Sequence, residues 1–571
     1  MPTAAEIKAM LTGPGGVFEV VEEDVLGRRL QVYKERMRCL RPICEVAQAR
    51  GNETFIVHGS RTISFGDFVA TANSVSRGLA AHGVGSGDRV AVLSQNNPEW
   101  CLSFWGAVNI GAILVGLNGW WKTDEVVYGL QDSGAKVLVA DAKRFERIAD
   151  HLDECPDLER VFLVDAKPSD FPAADSTGKL ASFDTLTGDP SPQVPDVPIG
   201  EDDYAVIFYT SGTTGRPKGA ISTHRNMIAN LQNTMFGAVA GAMAGGGALP
   251  QGSGQTVALF TSPLFHVSGC HSTLVVGLLA GLKLIMIEGR FDPDKALQLI
   301  EDHSVTLWAT VPTMVWRVCE HPARHDYDTS SVVSVAFGGS PSADELQRKV
   351  RETFPNVRTT TNAYGLTESS SVATAISGQD AIDRPTSVGP PVPTLEIKIR
   401  DLLGNEVPTG AVGEVTMYGP LIMAGYWNKP EETADTIRDG WLYTGDIGYL
   451  DADGYLYITD RKKDMIIRGG ENIYCVEIEN RLVEHPRIAD AAVIGVPNPE
   501  LGEEVKAVVQ VEEGETITED EVRQWVAETL ANFKVPAYVD IRTDKLPRNA
   551  SGKLLKNVLR GAGEVSFDET M

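Results

Sequence analysis

The sequence predicts an α/β protein: a large N-terminal part of parallel sheets with a small antiparallel β-barrel, then a small α+β C-terminal part. Three observations carry this. Between about residues 60 and 354, short apolar runs alternate with amphipathic helical stretches, as expected for parallel strands covered on both faces. Near residue 390 the pattern changes to short strands and turns, and after residue 464 it changes again to a compact mixture of helices and strands. A chain of 571 residues is also too long for one core.

Taken in order, residues 1–50 read as helical and amphipathic, with charged clusters at Glu22-Glu-Asp24 and Lys34-Glu-Arg36; a packing arm and a dimer contact are equal readings of their role. Strand-like runs follow at 89–93, 136–140, 161–164, 257–260, 283–287, 305–308 and 332–337. Helical stretches lie at 123–135, 145–155, 293–303 and 342–354. Residues 100–121 carry no charge and are about long enough to span a bilayer. Asn109, Asn118 and several glycines interrupt them, which favours a buried helix at about 97–111 running into a buried strand at 112–116. The Gly/Ala-rich segment 236–254 reads as a flexible loop or, more sharply, as a lid near a substrate pocket. Strands at 395–399 and 413–417 and a hairpin around Asp451-Ala-Asp-Gly454 form the antiparallel unit. The basic, glycine-bearing segment 460–470 reads as a linker; helices at 475–485 and 518–531 and strands at 489–496, 504–511 and 537–542 complete the small unit. The expected domains are therefore 1–461, with its barrel at about 391–461, and 462–571.

Composition narrows the partners. The chain carries 51 Lys and Arg against 77 Asp and Glu, a formal net charge of −26. That argues against nucleic-acid and anionic-membrane partners, although a locally basic loop can still take an anion. Seven scattered cysteines with no C-x-x-C pair fit reduced thiols in a cytoplasmic protein and offer no metal site. No basic-then-apolar signal segment opens the sequence.

The most informative stretch is Tyr209-Thr-Ser-Gly-Thr-Thr-Gly-Arg-Pro-Lys-Gly-Ala220, which follows the apolar run 205–208. Glycines let a backbone approach a polyanion, hydroxyls and N–H groups face phosphate oxygens, and Lys218 adds a positive charge. Pro217 and Gly219 flank the lysine, so the segment departs from the nucleotide-triphosphatase pattern G-x-x-x-x-G-K-[ST]. At the carboxyl end of a strand in an open parallel sheet, this is where a ligand is expected.

Further segments follow in a fixed order: Phe265-His-Val-Ser268, Gly338-Gly-Ser-Pro341, Asn362-Ala-Tyr-Gly-Leu-Thr-Glu368, Gly413-Glu414, Gly425-Tyr-Trp-Asn428, Tyr443-Thr-Gly-Asp-Ile-Gly448, Asp460-Arg461 and Leu546-Pro-Arg-Asn-Ala-Ser-Gly-Lys553. From about residue 50 to 556 the chain resembles the adenylate-forming superfamily, which includes acyl-CoA synthetases, amino-acid-activating domains and beetle luciferases. The resemblance implies two parallel-sheet subdomains, a β-barrel subdomain and a small mobile C-terminal domain. It implies ATP, Mg²⁺ and coenzyme A as cofactors: a carboxylate attacks the α-phosphate of ATP to give acyl-AMP and pyrophosphate, and the acyl group then passes to coenzyme A.

It also implies roles. Thr210, Ser211, Gly212, Thr213, Thr214, Gly215 and Lys218 hold phosphates, Glu368 and Thr214 ligate Mg²⁺, and Thr367 touches the α-phosphate. Tyr364 stacks on adenine beside Gly338, Gly339 and Ser340, with Asn362, Ala363, Gly365 and Ile458 around the nucleotide. Asp446 accepts from the ribose hydroxyls and Arg461 reaches ribose or phosphate. Lys553, on the small domain, meets the substrate carboxylate and the α-phosphate during adenylation. Lys463 matches the hinge about which that domain rotates, and Gly469 and Gly470 then give a pantetheine arm close backbone approach.

His266 stands where amino-acid-activating relatives usually carry Asp, which points to a plain carboxylic acid and to His266 as a group that orients its carboxylate. Val267, Val311, Met314 and Leu366 suggest a fatty or aryl-alkyl acid, though each could equally be core. Coenzyme A is the expected acceptor; a carrier protein or an amine is the enzymatic alternative, and a non-catalytic nucleotide-binding protein the alternative of another class. The remaining expectations are a small-molecule acid as partner, no nucleic acid, no integral membrane segment, and a homodimer as one reading of the assembly.

Overall fold

The computed structural model describes residues 3–188, 193–210, 216–244, 254–338, 344–401, 403–469, 471–512, 514–548 and 554–561. Two eight-stranded sheets form the bulk of the chain. In the first, Tyr204–Thr210, Ile113–Gly116, Arg89–Leu93, Val137–Asp141, Arg160–Val164 and Leu180–Ser182 run parallel side by side. In the second, Thr359–Tyr364, Ser334–Gly338, Leu307–Thr310, Val257–Phe260, Lys283–Met286 and Thr54–His58 do the same. Antiparallel strands close the edges.

Between them lies one continuous core that includes Phe55, Phe68, Trp100, Trp105, Phe208 and Phe260. The helices Phe65–Ala81 and Pro98–Val108 cross inside it, and they touch closely at Gly106, where a Cβ would lie 2.4 Å from the Val75 side chain. Residues 100–121 are thus a buried helix and the strand Ile113–Gly116. Among the described residues no helix is long and apolar enough to cross a membrane.

The antiparallel unit is a five-stranded sheet built on Glu396–Arg400, Gly413–Tyr418 and Trp441–Leu450, with Leu456–Arg461 returning along the last of these across the hairpin at 451–454. The second five-stranded sheet pairs Ile488–Asn498 with Gly502–Val511 and covers its core with the helices Cys475–Val483 and Glu519–Ala527. Its strand Ile466–Arg468 begins five residues after the large part's last strand ends at Arg461.

Three expectations are corrected. Residues 1–50 are not uniformly helical: a helix, Ala4–Thr12, leads into the hairpin Val20–Val25/Arg28–Tyr33, so Glu22-Glu-Asp24 lies on a strand. Val25, Leu30 and Val32 pack against Tyr418, while Ile7, Leu11, Phe18 and Tyr33 pack against Phe236, Val239 and Met243. The segment is a packing arm on its own chain, pinned by Arg36, which pairs with Glu23 at 2.7 Å and with Glu201. Second, 236–244 is the end of the 21-residue helix His224–Ala244 and not a loop, because that arm supplies its apolar partners; residues 245–253 lie outside the described residues. Third, the strand expected at 305–308 is displaced to Leu307–Thr310. Ser304 takes φ 50°, and the Val305 N–H donates to Ile300 O at 3.0 Å, so Val305 finishes the preceding helix before the strand begins.

Candidate active site

The glycine-rich segment 211–217 joins two antiparallel strands, Tyr204–Thr210 and Lys218–Thr223, with Thr210 paired to Lys218. Ser211, Gly212, Thr213, Thr214 and Gly215 lie outside the described residues, as do Gly339, Ser340, Gly470 and Lys553. What surrounds them is ordered by long-range polar contacts.

Tyr364 ends the strand Thr359–Tyr364, and its hydroxyl donates to Asp446 Oδ2 at 2.5 Å. Asp446 is 2 % exposed; its Oδ1 pairs with Arg461 Nε at 2.7 Å. The Asp446 N–H donates to Thr444 Oγ1 at 3.0 Å, and Glu414 accepts from the Gly445 N–H at 3.1 Å and from Lys462 Nζ at 2.9 Å. Burial, reinforced by the Asp446 carboxylate, pushes the Tyr364 phenol well above its ordinary range, so it stays a donor. Asp446 is therefore held by a strand of the second sheet on one side and by its own hairpin partner, Arg461, on the other. Ile458 sits on the same returning strand, opposite Gly448.

Asn362 is buried two residues before Tyr364; its amide donates to Ser387 O at 3.2 Å while Oδ1 has no partner among the described residues. A buried acceptor left open beside an aromatic ring fits a base bearing an exocyclic amine. Ala363 pairs with Gly338, where a Cβ would lie 2.5 Å from the Ala363 carbonyl oxygen, so the floor of this region is bare backbone. Gly365 is equally constrained: a Cβ there would lie 1.6 Å from Ser371 O.

Thr367 and Glu368 form a single 3₁₀ turn with Ser369. Ser370 (φ 54°) and Ser371 (φ 108°) follow in the left-handed region, strained for non-glycine residues and anchored by hydroxyl contacts to Ser222 at 3.2 Å and Ser272 at 2.6 Å. Thr367 is buried. Glu368 Oε1 accepts from the Tyr426 hydroxyl at 2.8 Å, and the Lys218 ammonium lies 5.2 Å from the Tyr426 ring centre. One phenol thus stands between a carboxylate and the lysine that opens the strand Lys218–Thr223. Tyr426 belongs to the segment 425–428 but had no role from the sequence; only its pairing with Ala220 brings it here.

His266 begins the turn after the strand Val257–Phe260, with Nδ1 3.2 Å from Ser268 Oγ, and is half-buried. Leu366, Val311 and Met314 are partly buried, whereas Val267 is core. His271, missed from sequence, lies on a π-helical turn, Cys270–Val275; it stacks on Phe208 at 5.4 Å, with Nδ1 3.3 Å from Ser370 O. Burial lowers its pKa to about 4, so the ring is neutral at physiological pH.

Lys463 is exposed in the turn joining the large part to the last sheet. Gly469 (φ 59°) turns the adjoining hairpin and donates to Leu501 O at 2.8 Å. All seven cysteines are free thiols, and among the described residues no three His, Cys, Asp or Glu side chains gather into a metal-binding group.

A buried polar chain beside bare backbone, with a carboxylate and a lysine flanking a glycine-rich segment, is an arrangement suited to a nucleotide. A family model described as "AMP-binding enzyme" matches residues 44–427, and the model of its C-terminal domain matches 477–553. The chain is 35 % identical over 515 residues to a feruloyl-CoA synthase of Amycolatopsis sp., covering 90 % of this chain and 96 % of that protein. It is 32 % identical over 529 residues to a long-chain-fatty-acid–CoA ligase of Bacillus subtilis, covering 89 % and 91 %. Among solved structures it matches o-succinylbenzoate–CoA synthetase of Bacillus subtilis in complex with its acyl-adenylate intermediate, with a TM-score of 0.74, 29 % identity and coverage of 92 % and 98 %. The chain belongs to the AMP-binding enzyme family.

Proposed function

We propose that this protein is an AMP-forming acid–CoA ligase. It activates a carboxylic acid with ATP to acyl-AMP and pyrophosphate, then transfers the acyl group to coenzyme A. The observation that carries the nucleotide half is the chain Tyr364–Asp446–Arg461 beside the open Asn362 acceptor. Asp446, with both oxygens already organised, accepts from ribose hydroxyls; Tyr364 presents its ring to adenine. Lys218 and Thr210 hold phosphate oxygens, and Thr367 faces the α-phosphate.

A single carboxylate, Glu368, with no acidic cluster around it among the described residues, fits Mg²⁺, a cation that keeps its waters and shares substrate phosphates. Bound there with Thr214, the ion supplies charge neutralisation at the phosphates. Lys553 brings the acid and the α-phosphate together, so most of the rate comes from positioning and positive charge.

The acid is a plain carboxylate of the fatty or aryl-alkyl class: His266 offers no anion to an α-ammonium group, and the feruloyl and long-chain fatty acids that name two relatives lack one. The small domain, 462–571, turns about Lys463 after adenylation and brings Gly469 and Gly470 to the thiol arm. Pyrophosphate release with a panel of aryl-propenoic and fatty acids, read with and without coenzyme A, tests the reading. Acid-dependent pyrophosphate and coenzyme-A-dependent thioester are expected; pyrophosphate without thioester assigns the acyl group to another acceptor.

A further inference from the structure

Outside the groups assigned above, one buried carboxylate lies among several chain segments that flank the 210–218 stretch. Asp132 lies in the last turn of the helix Thr123–Ser133, with its side chain 7 % exposed. The Tyr209 hydroxyl, one residue before Thr210, donates to Asp132 Oδ2 at 2.9 Å. The Tyr128 hydroxyl, on the same helix, lies 3.3 Å from Asp132 Oδ1 and 3.1 Å from the carbonyl of Pro217, one residue before Lys218. The Arg216 guanidinium lies 5.0 Å from the Tyr128 ring centre. A third segment closes the arrangement. Lys429 Nζ pairs with Asp132 Oδ1 at 3.2 Å, and Trp427 Nε1 donates to Asp132 O at 3.0 Å. Trp427 is itself fastened to the exit strand, its N–H donating to Gly219 O at 2.7 Å.

We propose that Asp132 is a positioning residue for the pyrophosphate-gripping segment. It fixes the Tyr209 end of the 210–218 stretch and, through Lys429, the segment that carries Tyr426 in one register, while Tyr128 shares its one proton between the carboxylate and the Pro217 carbonyl. This inference rests on the nucleotide assignment above and touches neither acid nor coenzyme A. A hairpin stem alone fixes the spacing of Thr210 and Lys218, but not its tilt against the helix that backs it. The carboxylate supplies that constraint, because a buried charge holds its donors in one geometry or loses them together. Tyr209 is the coupling element: burial, reinforced by Asp132, keeps its phenol protonated and donating.

The test uses the full-length chain with Mg²⁺ and ATP. Asp132→Asn keeps the shape and removes the charge. ATP affinity by calorimetry is expected to fall roughly tenfold, the worth of about one charge-assisted contact, with ATP KM rising in step. Acid KM, and thioester formation from a preformed acyl-adenylate, should stay within about twofold, since neither needs the pyrophosphate grip. Tyr209→Phe and Tyr128→Phe each remove one donor and should weaken ATP binding by a smaller factor; they carry the test if Asp132→Asn does not fold. Unchanged ATP affinity in the folded variants, or equal losses in ATP binding and in the thioester step, overturns the proposal. Because the affinity reading needs no turnover, a wild-type chain that binds ATP yet makes no thioester overturns the ligase reading and leaves Asp132 to be judged separately.

Discussion

The residues proposed for the nucleotide and those proposed for the acid differ in how they are held. On the nucleotide side the partners are remote: Tyr364 meets Asp446 across 82 positions, Tyr426 meets Glu368 across 58, and Asp132 meets Trp427 across 295. On the segments proposed to face the acid, His266 meets Ser268 two residues on and Met314 accepts from Thr310 four residues back at 3.1 Å, although Thr310 also meets Thr261 across 49 positions at 2.9 Å. A network that ties separate sheets together must keep its geometry, because moving one member breaks several contacts at once. A partly buried apolar side chain such as Val311 or Leu366 can change without breaking a polar network. The nucleotide is common to every acid the enzyme activates, so rigidity belongs on its side and variability on the other.

The comparison can be broken at several points. The largest effect is expected from Lys553→Ala. It should lower acid-dependent pyrophosphate release by about 10³-fold or more while largely sparing thioester formation from preformed acyl-adenylate. Comparable loss in both half-reactions would contradict a small domain that works in two orientations. Asp446→Asn cuts the link from Tyr364 to Arg461 and should reduce kcat/KM for ATP by roughly 10- to 100-fold, with acid KM unchanged; a matching rise in acid KM would show that the two sides are coupled.

Met314→Ala should do the reverse. The preference between a long and a short acid, measured as a ratio of kcat/KM values, should move by about tenfold at constant ATP KM. An unaltered ratio would place Met314 in the core alone, as Val267 already is.

The smallest effect is at the junction with the last sheet. Asp460 is 2 % exposed and accepts from the backbone N–H groups of Arg461, at 2.7 Å, and Cys475. Burial raises its pKa to about 6 against the partial opposition of Lys556 and those two N–H groups. The folded chain therefore binds this proton more tightly than the unfolded chain, whose carboxyl titrates near about 4. The stability it contributes is present at the acid end of that window and is lost as pH rises through about 6. Asp460→Asn should remove the slope, so its melting temperature should gain on that of the wild type between pH 4 and 6.5. A constant difference across that range would show that Asp460 titrates normally.

Much of the fold was legible because local signals and tertiary demands agreed. Pro293–His303 was readable to the residue, with Asp292 accepting from the N–H groups of Asp294 and Lys295 and Pro293 opening the helix. Most strands of both parallel sheets stand out as apolar runs because both their faces are covered; Thr359–Tyr364, Thr-Thr-Thr-Asn-Ala-Tyr, does not, and neither it nor Thr54–His58 or Leu180–Ser182 was expected as a strand. Illegible elements took their structure from elsewhere in the chain. The hairpin at 20–33 carries charge on one face and buries Val25, Leu30 and Val32 against Tyr418, nearly four hundred residues away. The end of the helix His224–Ala244, Gly/Ala-rich and weakly patterned, is helical against that same arm.

The sequence by itself determined the family: the ordered motifs carry the resemblance, and through it the roles expected of the glycine-rich segment, Tyr364, Thr367, Glu368, Asp446, Arg461 and Lys553, residue types suited to phosphate, ribose and a developing negative charge. Only the tertiary structure decided how these groups are held. Asp132 is an ordinary acid on an amphipathic helix until Tyr209, Pro217 through Tyr128, and Lys429 close around it. Tyr426 is one aromatic among many until a two-residue strand sets it between Glu368 and Lys218. A carboxylate's role depends on its burial and its partners, and both are properties of the folded chain.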